Sequence, residues 1–483
     1  MRLQERMPLV LCMFFFLIVV MGAWGVAQAG DNKAIKRLER IIKGQQQQIE
    51  AQAKVLAALQ ARVEQLTRES AATQEILGKG EKVLEITKTE ADVAKREAGM
   101  ALRKVQAIDP SREEDRMHYH DFMHFRLPKT ETVVTVSGFA KGSVIHDSDA
   151  IQSPTEFITS KIVVDGEPPD VPGSRTGFTA NASRFVIGSA TPTGIGRLST
   201  FISMDFFGNS DSASPKPRLR QAFGQLDDFF LGGSLRVGQS WSTWDDVPSL
   251  PETLDFQGPN GSQQTRHPLA RWARDFGDSV AFWAAVEDPD SSIENGGSRT
   301  RWPDGVLAIN YHGDWGHLKP ALLLRDVRGE APPGGNVQSE FGWGASLSST
   351  INLPILHKKD NLKFQIVYGR GIGSYMNEDG VNDGVLDGGN LKLLPVFSGF
   401  GALQHWWIEG LRSNAVFGWL DIDNQGVESG STLGRTLYLA GNLIWSPIKQ
   451  MDIGGEILWG QRKNKDSARG AATRIQFSAK YKF

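Results

Sequence analysis

From Ala471 to the terminal Phe483 the chain alternates strictly, with Thr473, Ile475, Phe477, Ala479, Tyr481 and Phe483 on one side of an extended strand. Ala472, Arg474, Gln476, Ser478, Lys480 and Lys482 fall on the other side. One face is apolar and aromatic, the other polar, and the chain ends on an aromatic residue. Segments of this texture recur near 131–144, 180–190, 196–207, 217–227, 232–240, 269–276, 279–287 and 305–312, and again near 318–326, 340–351, 361–370, 404–410, 413–420, 433–445, 451–461 and 471–483, which makes 16 strands. Their connections alternate in length. The first, third and later odd ones, at 145–179, 208–216, 241–268, 288–304, 327–339, 371–403, 421–432 and 462–470, are long, and those between them are short turns. A soluble all-β protein has no physical reason to sort loop length by strand parity, whereas a transmembrane barrel has short turns on one side and long loops on the other. The pattern therefore predicts an all-β transmembrane barrel of about 16 antiparallel strands over 131–483.

Residues 30–108 carry a different period. Ile35, Ile42, Ile49, Leu56, Val63, Leu77, Leu84, Ala91, Ala98 and Val105 recur every seventh position, joined by Leu38, Leu59, Leu66, Ala94, Ala101 and Ile108. This is the seam of an α-helical coiled coil, interrupted by Gln45, Gln52, Ser70 and Thr73 and loosened at Gly78 and Gly80. An exposed apolar stripe on a lone helix calls for a partner, so an oligomer is expected, and the heptads alone leave dimer or trimer open. An even strand count puts both barrel ends on the short-turn side, which sends this helix into the periplasm. Fully helical, it would reach about 110 Å, far enough to approach peptidoglycan. Residues 109–130 read as a linker.

Ahead of the heptads, Arg2 and Arg6, the apolar run Leu9 to Ala23 and the small-residue site Ala27-Gln28-Ala29 predict a signal peptide over 1–29. The one cysteine, Cys12, lies inside it, so the mature chain has no disulfide or thiolate chemistry. Charge is nearly balanced, Lys+Arg 53 against Asp+Glu 55, which removes nucleic acid as a partner. With hydrophobic residues at 40%, a bundle of membrane helices is excluded, since each span needs about 20 apolar residues. Trp315, Trp445, Trp459 and Tyr481, near strand ends, read as interfacial girdle residues against outer-membrane lipid.

No nucleophile elbow, zinc-protease helix, P-loop or Cys/His metal spacing is present, so neither an enzyme nor a cofactor or metal site is predicted. His118, His120, His124 and Asp121 cluster in the linker, where an interfacial polar role fits better than a metal. Basic residues on inward positions stand out instead. Arg218 and Arg220 point one way while Leu219 and Phe223 are expected to face lipid. Arg184, Arg236, Arg271, Arg474 and Lys480 alternate in the same sense. Such a lane would favour small anions, because low-dielectric walls focus its field, and arginine adds planar bidentate pairing to carboxylate. The alternative is that lumenal acids such as Asp205, Glu287 and Glu456 simply neutralise it. The third long connection, 241–268, contains Trp241 and Trp244 and offers Asp245, Asp246, Glu252, Asp255 and Arg266 as constriction residues if it folds inward; capping the outer mouth is the other option.

Together the exported coiled coil, PRLRQAFGQ at 217–225, VGQSWSTWDDVPSLPETLDFQGPNG at 237–261 and the final YKF resemble the DcaP-like family of outer-membrane porins. That resemblance implies a homotrimer of 16-stranded barrels with a periplasmic coiled coil, admitting dicarboxylates and related anions, with Arg218, Arg220, Arg236 and Arg271 in the matched segments as pore candidates. The loop 371–403 matches no motif of that family. The expected function is passive, anion-preferring diffusion. A wall-tethering barrel with a plugged bore and a phosphate-selective pore are the alternatives.

Overall fold

The computed structural model describes Arg62 and residues 123–483, apart from Pro169 and residues 210–213, 332–334 and 355–356. The signal segment, the heptads, His118, His120 and Asp121 lie outside the described residues. The barrel belongs to the compact unit Leu102–Phe483.

Sixteen long antiparallel strands form one closed wall. In chain order they are β1 (Val133–Asp147), β2 (Arg184–Thr193), β3 (Gly196–Asp205), β4 (Arg218–Phe229), β5 (Gly233–Trp241), β6 (Arg266–Phe276), β7 (Val280–Glu287) and β8 (Asp304–Gly313). The second half comprises β9 (Gly316–Glu330), β10 (Val337–Asn352), β11 (Asn361–Arg370), β12 (Pro395–Ile408), β13 (Leu411–Ile422), β14 (Leu433–Ile448), β15 (Met451–Asn464) and β16 (Arg469–Lys482). Each pairs with its neighbour. Closure is made by β1, which pairs with β2 from Val133 to Phe139 and with β16 from Phe139 to Asp147. A closed sheet leaves no long edge of unpaired backbone groups, which is what lets strands sit in hydrocarbon.

The terminal strand has the expected faces. Ile475, Phe477, Tyr481 and Phe483 are exposed outward, while Arg474, Gln476 and Ser478 are buried inside. Trp315 and Trp445 are exposed, as girdle positions should be.

Two strand assignments and one facing depart from the sequence reading. The strand expected at 404–410 is β12, Pro395–Ile408, so the preceding loop ends at 394 rather than 403. Its early half reads PVFSGFGAL, where Gly399 and Gly401 hide the alternation. Within the expected linker, Met123–Arg126 forms a short strand on β1, and His124 Nδ1 lies 3.0 Å from Thr135 Oγ1. The third departure is Phe223, which faces inward. On β4, Gln221 pairs with Ser203 and Leu219 with Met204, leaving Arg220 as the extra residue of a bulge. One extra residue reverses the parity beyond it, so Arg218 and Arg220 face the lumen and so does Phe223.

Much of the bore is filled. Loop residues Ile372, Tyr375, Val381, Val385 and Leu394 pack with Trp244 onto inward Val306, Ala308, Ala321, Leu323, Val367, Val396 and Leu420. Ile151, Phe157 and Ile162 of the first long loop cover inward Ala402, Val416, Tyr438, Ala440 and Leu458. Burying each such aliphatic side chain is worth roughly 2 kcal/mol, and a water-filled bore would forfeit it. Long loops from 148, from 242 and from 371 are therefore drawn inside.

Candidate functional site

What the loops leave open is a cavity of about 460 Å³ on the β1–β6 and β16 side of the barrel. Its cationic lining consists of Lys141 on β1, Arg184 on β2, Arg218 and Arg220 on β4, Arg266 on β6 and Lys480 on β16. The lining also includes Glu252, Asp255 and Phe256 of the loop 242–265, with Glu156, Asp379 and Asp452.

The β4 bulge builds the densest part of this wall. Asp205, fully buried, accepts two hydrogen bonds from Arg218, at 2.9 and 2.8 Å, and one from Arg220 at 2.7 Å. Two guanidiniums sharing one carboxylate leave a positive charge over. Their flat faces rest on aromatic rings: Arg218 lies 5.2 Å from Phe207 and 5.7 Å from Phe256, Arg220 5.3 Å from Phe256, and Arg266 4.5 Å from Trp241. Such stacking fixes the plane of each guanidinium in the cavity wall.

Loop 242–265 crosses the bore. Gly261 sits where a Cβ would come within 2.2 Å of the carbonyl oxygens of Gly399 and Trp419, so only glycine lets the loop lie flat on β12 and β13. Glu287 accepts from Ser242 Oγ and the Thr243 amide at 2.7 and 2.6 Å, and Glu456 accepts from the Asp255 amide at 2.6 Å. These two lumenal acids hold the loop, whereas Asp205 does neutralise arginine.

Lining charges number six cations and five carboxylates, and position decides the balance. Glu252 is held from behind by Arg412 Nε at 2.6 Å, Asp452 by Lys482 at 2.9 Å as well as Lys480 at 3.0 Å, and Asp255 accepts backbone amides of Phe157, Gln257 and Gly258. Burial pushes the Glu156 carboxyl up to about 7, with Asp255 adding to the rise, so near neutral pH it holds only part of its charge. By count, the lining cations exceed its carboxylates by one.

Among the residues singled out from sequence, the structure brings Arg184, Arg218, Arg220, Arg266, Lys480, Glu252 and Asp255 together at the cavity. The others lie elsewhere. Arg474 is fully buried beneath the first loop, bidentate to Asp147 at 2.6 and 3.1 Å and stacked on Phe157. Arg236 donates to Gln225 and Ser240 over the Phe223 ring, and Arg271 lies over Trp283. Asp245 accepts the Thr265 amide at 2.8 Å and Asp246 pairs with His317 at 2.8 Å; both are buried loop anchors. Lys141 was legible, since it shares parity with inward Phe139 and Ser143. Glu156, Phe256 and Asp379 carried no such signal, because loop residues have no period.

A closed barrel of 16 antiparallel strands, with inward loops leaving a charge-lined cavity against one wall, is the architecture of an outer-membrane channel of the porin class. The DcaP outer membrane protein family model matches residues 166–483, and the chain belongs to that family. Its fold is similar to the outer membrane channel DcaP of Acinetobacter baumannii, at 19% identity and TM-score 0.64, covering 74% of this chain and 99% of that one. Weaker likenesses are to OmpT of Vibrio cholerae, at 11% identity and TM-score 0.48 over 74% and 99% of the two chains, and to an anion-selective porin from Comamonas acidovorans, at 12% identity and TM-score 0.48 over 73% and 100%. No curated protein matches the chain.

Proposed function

We propose that this porin passes small anions, carboxylates and dicarboxylates foremost, by passive diffusion along its basic wall. One observation carries the reading: six cationic side chains from five strands line one cavity, and two of its carboxylates, Glu252 and Asp452, pair with Arg412 and Lys482 outside the lining. Planar guanidinium edges beside aromatic rings suit planar carboxylates, which accept two parallel hydrogen bonds. In the same proposal residues 1–29 are an export signal, residues 30–108 form a periplasmic coiled coil within a homotrimer, and the barrel from 131 is the porin domain. Purified protein in a planar bilayer under a salt gradient is expected to give stepwise conductance, a reversal potential of the anion-preferring sign, and block by succinate. A cation-preferring reversal potential would overturn the reading, and stronger block by phosphate than by succinate would reassign the cargo.

A further inference from the structure

A second cavity, of about 500 Å³, lies on the outer surface of the barrel rather than inside it. Its floor is a row of outward residues paired straight across four strands: Val237 of β5 with Ala270 of β6, Ala270 with Val286 of β7, and Val286 with Gly305 of β8. These are small side chains. One row toward the short turns, the outward positions are Leu235, Trp272, Ala284 and Leu307, so the floor drops behind a higher sill. On the long-loop side the cavity is bounded by Pro268 and by Trp302 and Pro303, from the loop that returns to β8. Val237, Val286 and Trp302 are more than half exposed, at 53%, 51% and 58%.

Outward positions of a porin wall meet lipid, so an apolar trough between large residues at this level is shaped for a hydrocarbon chain. The charge beside it says what head the chain carries. Arg301 lines the same cavity, exposed, its guanidinium 5.4 Å from the Trp302 ring, and among the described residues no carboxylate pairs with it. An indole at the membrane interface with a cation beside it matches an acyl chain entering hydrocarbon below a phosphate. Asp288, also in the lining, is an acid that an anionic head must avoid.

We propose that this trough is a binding site for an anionic phospholipid, one acyl chain lying along Val237, Ala270 and Val286 and its negatively charged head held by Arg301. The site is independent of the pore and its cargo. Native mass spectrometry of the full chain purified from outer membranes, titrated with dipalmitoyl phosphatidylglycerol and with dipalmitoyl phosphatidylcholine, tests it. The unaltered protein is expected to retain phosphatidylglycerol in preference to phosphatidylcholine. V286W, which fills the trough, should abolish retention of both, while I457W, on the outer face of β15, should leave it unchanged. R301Q should cut phosphatidylglycerol retention about fivefold, and D288N should raise it. Barrel circular dichroism of each variant separates loss of the site from loss of the fold. Equal retention by V286W and the unaltered protein overturns the trough, and an R301Q preference identical to the unaltered one overturns the anionic-head assignment. A change of oligomeric state in V286W, with no lipid retained by the unaltered protein, would assign the surface to a second copy instead and also overturn the proposal.

Discussion

On β8 to β13 the inward positions include Val306, Ala308, Ala321, Leu323, Val367, Val396 and Leu420, whereas on β1 to β6 they include Lys141, Arg184, Arg218, Arg220 and Arg236. Both sets stand on the same pleated wall with the same period of two. The apolar side needs cover and takes it from Trp244, Ile372 and Tyr375 of loops that would otherwise lie in water. The basic side has the smaller inward cluster Phe139, Val186, Phe201 and Phe223, and there the loops leave a charge-lined cavity open. Where the pore lies is thus decided largely by residues that never touch a solute.

Breaking the packed side should have the largest effect. Trp244→Ala removes a ring that is 1% exposed and stands edge-on to Tyr375, 5.6 Å between centroids. A loss of roughly 3–5 kcal/mol is expected, read as a lower midpoint of thermal unfolding in detergent. With its anchor gone, loop 242–265 should loosen and single-channel conductance should rise. Unchanged conductance in a destabilised protein would separate the packed side from pore width.

The open side should answer in selectivity rather than stability. Replacing Arg218 and Arg220 together by Gln removes two cations around one buried carboxylate, Asp205, and inverts the local charge. The anion-to-cation permeability ratio, from reversal potentials, should fall by about tenfold. A ratio that does not move would shift the selectivity to Arg184, Arg266 and the lysines.

Glu156 gives the smallest and most specific effect. Its folded pKa of about 7 lies above that of an ordinary glutamate, so it is protonated below pH 7 and charged above. Lowering the pH from 8 to 6 removes a negative charge from the lane and should raise anion preference roughly twofold. Glu156→Gln should flatten that response. The same response persisting in the variant would place the titrating group elsewhere.

Strand parity was readable wherever the chain alternates without interruption. Arg474, Gln476 and Ser478 turn inward and Phe477 outward as the terminal segment predicts, and Arg184, Arg218 and Arg220 were found by the same rule. It misplaced Phe223, because a bulge at Arg220 is a property of the β3–β4 pairing and leaves no mark in either strand alone. It also could not rank the inward basic residues. Arg474 and Arg218 obey one pattern, yet one lies under the first loop against Asp147 and the other lines the lane.

By itself the chain determined that it makes sixteen amphipathic strands with long loops on one side, which side chains share a face, and that basic residues crowd the inward one. These are consequences of local alternation, carried by neighbours two residues apart. Only the tertiary structure decided that three loops turn into the bore, that Asp245 and Asp246 anchor while Glu252 and Asp255 face the lane, and that Glu156 and Phe256 belong to it. Those outcomes depend on which apolar wall each loop can cover, and that pairing joins residues such as Trp244 and Val367, or Phe157 and Tyr438, that are far apart along the chain.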